Sequence, residues 1–197
     1  MSRKQRDIIS PDVLLSAYCT GYFPMADGRD GEIYWYYPEE RGIIPLDGLN
    51  VSRSLRRTIA KGTYSVACDT AFEEVMRRCA SREETWISET IIRSYTLLFE
   101  LGYAHSVEVR HEGRLVGGLY GVAVGGAFFG ESMFSTMTDA SKVALFALVA
   151  RLNERGYELL DTQYTTPHLE SLGAIEIPRV VYLEKLKSAI AKQCTFN

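Results

Sequence analysis

A chain of 197 residues, 46% hydrophobic and 24% charged, suits one large domain, or a domain with an appendage, around a substantial core. A net charge of -3 excludes a generic nucleic-acid binder. The longest apolar run, residues 143–150, falls far short of the about 20 residues a membrane helix needs, and the basic opening MSRKQRDIIS has no apolar stretch to make it a secretory signal.

Cys19, Cys68, Cys79 and Cys194 form no CxxC or Cys/His spacing, which argues against a zinc site or a disulfide framework. A cytoplasmic protein without metal or cofactor is expected.

Ser10-Pro11-Asp12 reads as an N-cap, a proline at the first helical position and an early acid. Val13, Leu14, Ala17 and Tyr18 follow as an apolar stripe, and Gly21 suits the helix end. Residues 22–49 read as loop, with prolines and glycines interleaved among Tyr22, Phe23, Tyr34, Trp35, Tyr36 and Tyr37. Ser52 is placed to cap a second helix ending near Gly62. Its basic run Arg53, Arg56, Arg57 and Lys61 is either a solvated face or a phosphate contact. Residues 64–68 alternate as a short strand, and Asp69 is expected to cap a third helix with Phe72, Val75, Met76 and Cys79 on one side. Ser88 opens a fourth helix, with Ile91, Tyr95 and Leu98 inward and Gly102 at its end.

The register then changes to period two. Residues 104–110 read as a strand, His111-Glu112-Gly113 as a turn, 115–124 as a second strand, Gly125-Gly126 as a turn and 127–131 as a third strand. A long helix over 139–155 closes at Gly156, a short buried strand spans 158–161, Thr166-Pro167 caps a brief helix ended by Gly173, and 179–191 is helical. The fold class is α+β. The order of its elements resembles the GNAT acyltransferase core, with a catalytic domain over 63–197 and a small N-terminal helical and aromatic-loop region over 1–62. In GNAT enzymes that use CoA, a glycine-rich turn after the third strand presents backbone N–H groups to the pyrophosphate. Here that junction, residues 133–139, contains no glycine and ends on Asp139, so CoA is not the expected donor.

Two acidic positions stand out. Glu131 lies among Phe128, Phe129, Met133 and Phe134; because a buried carboxylate is costly without a partner, it either escapes to solvent or meets one. That partner is either a ligand or a cation such as Arg114 or Lys142. Asp161 and Gln163 lie two apart, so an extended backbone puts both on one face. Asp161 either binds an ammonium group or caps the Thr165-Thr166 turn. Leu145, Leu148 and Leu152 recur at i, i+3 and i+7, a stripe that is more often core than pocket. His168, close to Gln163, fits the first turn of the capped helix.

Several fragments converge: GYFPM at 21–25, WI at 86–87, ELGYAHSVEV at 100–109, LVGGLYGVA at 115–123, FGESMFS at 129–135, ASK at 140–142, LLDTQ at 159–163 and SLGAIEIPR at 171–179. Together, from about Ile9 to about Leu186, they resemble the leucyl/phenylalanyl-tRNA–protein transferases in their compact form. The resemblance implies an enzyme that moves Leu or Phe, and less readily Met, from aminoacyl-tRNA to the α-amino group of proteins beginning with Arg or Lys, marking them for N-degron degradation. No cofactor is implied. Asp161 and Gln163 match the family's proposed relay or positioning pair, and Glu131 the residue that helps to hold the aminoacyl end. By position, Leu119, Phe128, Met133, Leu145, Leu148, Leu152 and Leu160 line the side-chain pocket.

Trp86 is implied to stack on the terminal adenine. Met25 stands where a second tryptophan is expected, so the adenine clamp of Trp86 and Met25 is either weaker or completed by Tyr22, Tyr34 or Trp35. Arg53, Arg56, Arg57 and Lys61 would meet tRNA phosphates. The chemistry is undemanding, because the donor ester is activated and an N-terminal amine has a pKa near 7.7–8.0. Holding the two together can supply roughly 7–11 kcal/mol. A monomer without membrane attachment is expected. The rivals are another N-acyltransferase, using CoA or building peptidoglycan, and a tRNA-binding module without catalysis; the Asp161-x-Gln163 pair would be superfluous in such a module.

Overall fold

The computed structural model describes residues 8–29 and 31–197; most of the basic opening stretch therefore lies outside the described residues. The elements, in chain order, are α1 (Pro11–Cys19), β1 (Phe23–Ala26), β2 (Ile33–Tyr36), β3 (Glu40–Ile43), α2 (Arg53–Ala60), β4 (Ser65–Cys68), α3 (Phe72–Cys79), α4 (Glu89–Glu100), β5 (Ala104–His111), β6 (Arg114–Val124), β7 (Ala127–Ser135), α5 (Ala140–Glu154), β8 (Leu159–Gln163), α6 (Pro167–Ser171), β9 (Ile175–Pro178) and α7 (Arg179–Ile190).

Seven strands form one sheet in the order β4-β5-β6-β7-β8-β3-β9. All neighbours are antiparallel except β7 and β8, whose parallel pairing requires the crossover that α5 supplies. β6 is buried along nearly its whole length because helices cover both faces of the sheet. Leu14, Tyr18, Phe72, Val75, Ile91, Tyr95 and Tyr182, from α1, α3, α4 and α7, build the core on one face. Leu55, Val143, Leu145, Leu148 and Leu152, from α2 and α5, build the other. The caps at Ser10, Ser52, Ser88 and Thr166 form as the sequence leads one to expect.

Three expectations are corrected. Residues 22–49 are not all loop. β1 and β2 pair as a hairpin, and β3 inserts between β8 and β9. A four-residue strand with Arg41 and Gly42 at its centre gives no period-two apolar signal. Gly42 is required there, because a Cβ would stand 2.7 Å from the Tyr164 carbonyl carbon. Asp69 does not cap α3. It takes a left-handed φ of 58° and accepts the Ser106 backbone N–H at 2.8 Å. The start of α3 is served instead by buried Glu108, a strand residue that accepts the Thr70 and Ala71 N–H groups at 3.3 Å each. Finally, β7 runs to Ser135 and β8 to Gln163, and β9 occupies a stretch that carried no strand reading.

Candidate active site

β7 and β8 pair through only three residue couples, the last being Phe129 opposite Asp161. Beyond that point the strands part, and a cavity of about 340 Å³ opens between residues 130–133 on one side and 162–164 on the other. Two β-bulges flank the gap. On β7 the register slips so that Tyr120 faces Ser132 while Gly121 faces Gly130, leaving Glu131 as the extra residue. On β8, Gly42 faces Gln163 and Ile43 faces Asp161, leaving Thr162 as the extra residue. Gln163 adopts a left-handed φ of 61°. Bulges re-aim side chains, and these two turn Glu131 and Gln163 towards each other: the Gln163 Nε2 donates to Glu131 Oε1 at 2.9 Å.

Glu131 is buried, and its partners are polar but uncharged. The Tyr18 hydroxyl donates to Oε1 at 2.6 Å, and the Tyr95 hydroxyl lies 3.4 Å from Oε2 while sharing a hydrogen bond with Tyr18. Neither Arg114 nor Lys142 reaches it, and Lys142 pairs with Asp139 at 2.8 Å. Burial dominates over these donors and pushes the Glu131 carboxyl up to about 8. The Tyr18 and Tyr95 phenols are driven far above the usual tyrosine range, first by burial and then by the Glu131 charge.

Asp161 is fully buried and does not reach the cavity wall. It receives the Arg41 guanidinium through Nε at 2.9 Å and Nη2 at 2.6 Å, the Tyr182 hydroxyl at 2.6 Å and the Gln163 backbone N–H at 2.7 Å. Arg41 also donates to the Gly21 carbonyl at 2.9 Å and stacks between Phe23 and Tyr182. Burial pulls the Arg41 pKa down, but the Asp161 carboxylate more than offsets that and the net shift is upward. Asp161 does not cap the turn that follows β8; the cap of α6 is Thr166.

Leu119, Met133, Leu145, Leu148 and Leu160 line the cavity, joined by Trp86, Met25, Glu131 and Gln163. Phe128 and Leu152 do not, which corrects their expected place in the pocket. The Phe128 ring packs over Gly121 and against Phe196, with ring centroids 5.6 Å apart. Leu152 lies deeper along α5, at 0% exposure. Arg53, Arg56 and Arg57 on α2 and Lys61 at its C-cap are exposed, line no part of the cavity, and form no ion pair among the described residues.

The structure adds residues that sequence reading missed. Arg41 and Tyr182 hold Asp161, and Tyr18 and Tyr95 hold Glu131; His168, noted in the sequence for its closeness to Gln163, stands on the cavity wall. The available signal was tyrosine in the inward stripes of two helices, where Leu or Phe would serve packing alone. Among the described residues, three buried hydroxyls lack a partner, those of Thr96, Tyr120 and Thr162. The last two belong to residues of the cavity wall, where a ligand could satisfy them.

Residues 43–187 match the family model described as leucyl/phenylalanyl-tRNA protein transferase, and residues 7–39 match the model for the N-terminal domain of that family. A protein of Paramagnetospirillum magneticum named leucyl/phenylalanyl-tRNA–protein transferase is 56% identical over 194 residues, covering 96% of this chain and 93% of its own. One of Gloeobacter violaceus with the same name is 52% identical over 189 residues, covering 96% and 98%. Among solved structures, L-PGS from Bacillus licheniformis aligns with a TM-score of 0.42 at 15% identity over 83% of this chain and 56% of its own.

Proposed function

The chain belongs to the leucyl/phenylalanyl-tRNA–protein transferase family, and on that premise we propose how its cavity works. The protein is a transferase that carries an aminoacyl group from tRNA to the N-terminus of a protein. Its acceptors begin with Arg or Lys, its donors carry Leu, Phe and, less readily, Met, and the product is an N-degron. The reading rests above all on one observation: apolar walls and the Glu131–Gln163 pair share a single cavity where β7 and β8 part.

The aminoacyl side chain enters among Leu119, Met133, Leu145, Leu148 and Leu160. Such walls accept Leu, Phe and Met but discriminate weakly among them, since one methylene is worth only about 1–3 kcal/mol. The terminal adenine rests between Trp86 and Met25. Glu131 is the carboxylate of the cavity wall, and the donor's α-ammonium supplies the cation it lacks. An ammonium in contact draws the carboxyl pKa back down, so substrate binding restores the charge that burial disfavours.

The amide nitrogen of Gln163 is occupied by Glu131, so its carbonyl oxygen is the end that accepts from the incoming amine. Asp161, enclosed by Arg41, Tyr182 and the Gln163 N–H, acts as a positioning group. Attack by the neutral amine on the ester carbonyl forms the peptide bond and breaks the ester bond, and the proton lost from nitrogen passes to the departing ribose hydroxyl. The chain acts as a monomer. A charged tRNA donor places the reaction in the cytoplasm.

The test incubates the protein with leucyl-tRNA and an Arg-initiated peptide and detects the Leu-extended product by mass. Acetyl-CoA and an Asp-initiated peptide serve as controls. Product from the first pair alone is expected. Gln163→Ala should lower kcat at least ~10²-fold, with a smaller change in KM for the donor. Full turnover in that variant would remove Gln163 from the mechanism, and acetyl transfer would overturn the whole reading.

A further inference from the structure

Beside the aminoacyl cavity lies a second cleft of about 330 Å³, between the C-terminal turn of α3 and the junction of β7 with α5. Arg78, Ser81 and Arg82 line it from the first side and Ser135 and Ser141 from the second, and its walls contain no carboxylate. Two clefts share wall residues with the aminoacyl cavity, and they differ in kind. One shares Ile44 and Leu160, both buried, and includes two carboxylates, Asp47 and Glu158, against one cation, Lys185. The cationic cleft shares Arg82, Met133 and His168, of which Arg82 and His168 are exposed. A polyanion leaving the cavity on the cationic side follows an open path with favourable charge, whereas the other side offers buried apolar wall and then two carboxylates to one lysine.

The two arginines are suited to that task. Arg82 is braced by hydrogen bonds from Nη2 to the Met133 carbonyl and the Ser132 hydroxyl, which fixes its position and leaves other N–H groups free. Arg78 has one exposed pairing, to Glu74 at 3.5 Å, and a contact so loose is readily exchanged for a phosphate.

We propose that this cleft binds the phosphodiester groups joining the last nucleotides of the tRNA's single-stranded 3′ end, with Arg78 and Arg82 as the contacting cations. The proposal rests on reading the neighbouring cavity as the aminoacyl site. It assigns the end of the tRNA to a surface other than α2, whose basic residues line neither cleft.

The experiment compares two donors, leucyl-tRNA and leucyl-adenosine, which ends before any phosphate. Arg78→Gln should raise KM for leucyl-tRNA about five- to tenfold and reduce the slope of log affinity against log salt by about 0.7. The KM for leucyl-adenosine should not follow, and Arg78→Lys should recover part of the loss. An unchanged KM and salt slope with leucyl-tRNA would overturn the proposal. So would an equal loss with both donors, which would mean that Arg78 is merely structural. If the unmodified protein transferred leucine from neither donor, the aminoacyl reading itself would fall.

Discussion

Glu131 carries the main electrostatic cost of the site. Tyr18 and Gln163 donate to it, yet burial outweighs them and its carboxyl titrates near 8 in the folded chain, against a reference value of 4.5. A folded-state pKa above the unfolded one means that the native protein binds the proton more tightly. Stability from this group is therefore complete below about pH 4.5 and is lost as pH rises through about 8. Glu131→Gln keeps the shape and removes the titration. In urea melts between pH 5 and 8, the midpoint of the unmodified protein should fall relative to that of the variant. Parallel midpoints across that range would show that the carboxyl is not buried at this cost. Neither the burial nor the tyrosine partners could be inferred from GAFFGESMFST, since Tyr18 and Tyr95 lie 113 and 36 residues away in the chain.

At the scale of the element, the two bulges decide what faces the cavity. On a regular strand, Phe128 and Met133, five apart, would point to opposite faces; the extra residue at Glu131 brings them to the same side of the sheet. Gly121 makes that slip possible, because a Cβ there would stand 2.2 Å from the Phe129 carbonyl oxygen and 2.5 Å from the Phe128 ring. Gly121→Ala should therefore cost at least about 1–3 kcal/mol in a denaturant melt and lower transfer by displacing Glu131. A variant of native stability and activity would mean that the bulge does not depend on this close approach. β4 to β7 were legible from alternation, whereas β1, β2, β3 and β9 were not. Bulges were not, because one inserted residue leaves composition and local periodicity almost unchanged.

Across the whole molecule, the parting of β7 from β8 separates residues that belong to the same core cluster. Leu119, Met133, Leu145, Leu148 and Leu160 border the opening, while Phe128 and Leu152 sit in solid packing on the same face. Phe128→Ala should accordingly cost about 3–5 kcal/mol of stability with little change in the preference for Leu over bulkier aminoacyl groups, whereas Met133→Ala should shift that preference towards larger ones. Competition assays with Leu- and Trp-charged tRNA would measure both. A selectivity change in the Phe128 variant at native stability would return that ring to the cavity.

Helix caps, turn glycines and the period-two strands of the central sheet were set by local chemistry, so the α+β class and the run of elements from 104 to 171 could be read directly from the residues. The fragments around Glu131 and from Leu159 to Gln163 also contribute to the walls of the cavity. Tertiary structure alone decided that Arg41 and Tyr182 enclose Asp161, that two tyrosines hold Glu131, and which apolar residues face space rather than one another. Those outcomes depend on contacts between segments far apart in the chain and on where strand pairing stops. A leucine has the same hydrophobicity whether it borders a cavity or fills a core.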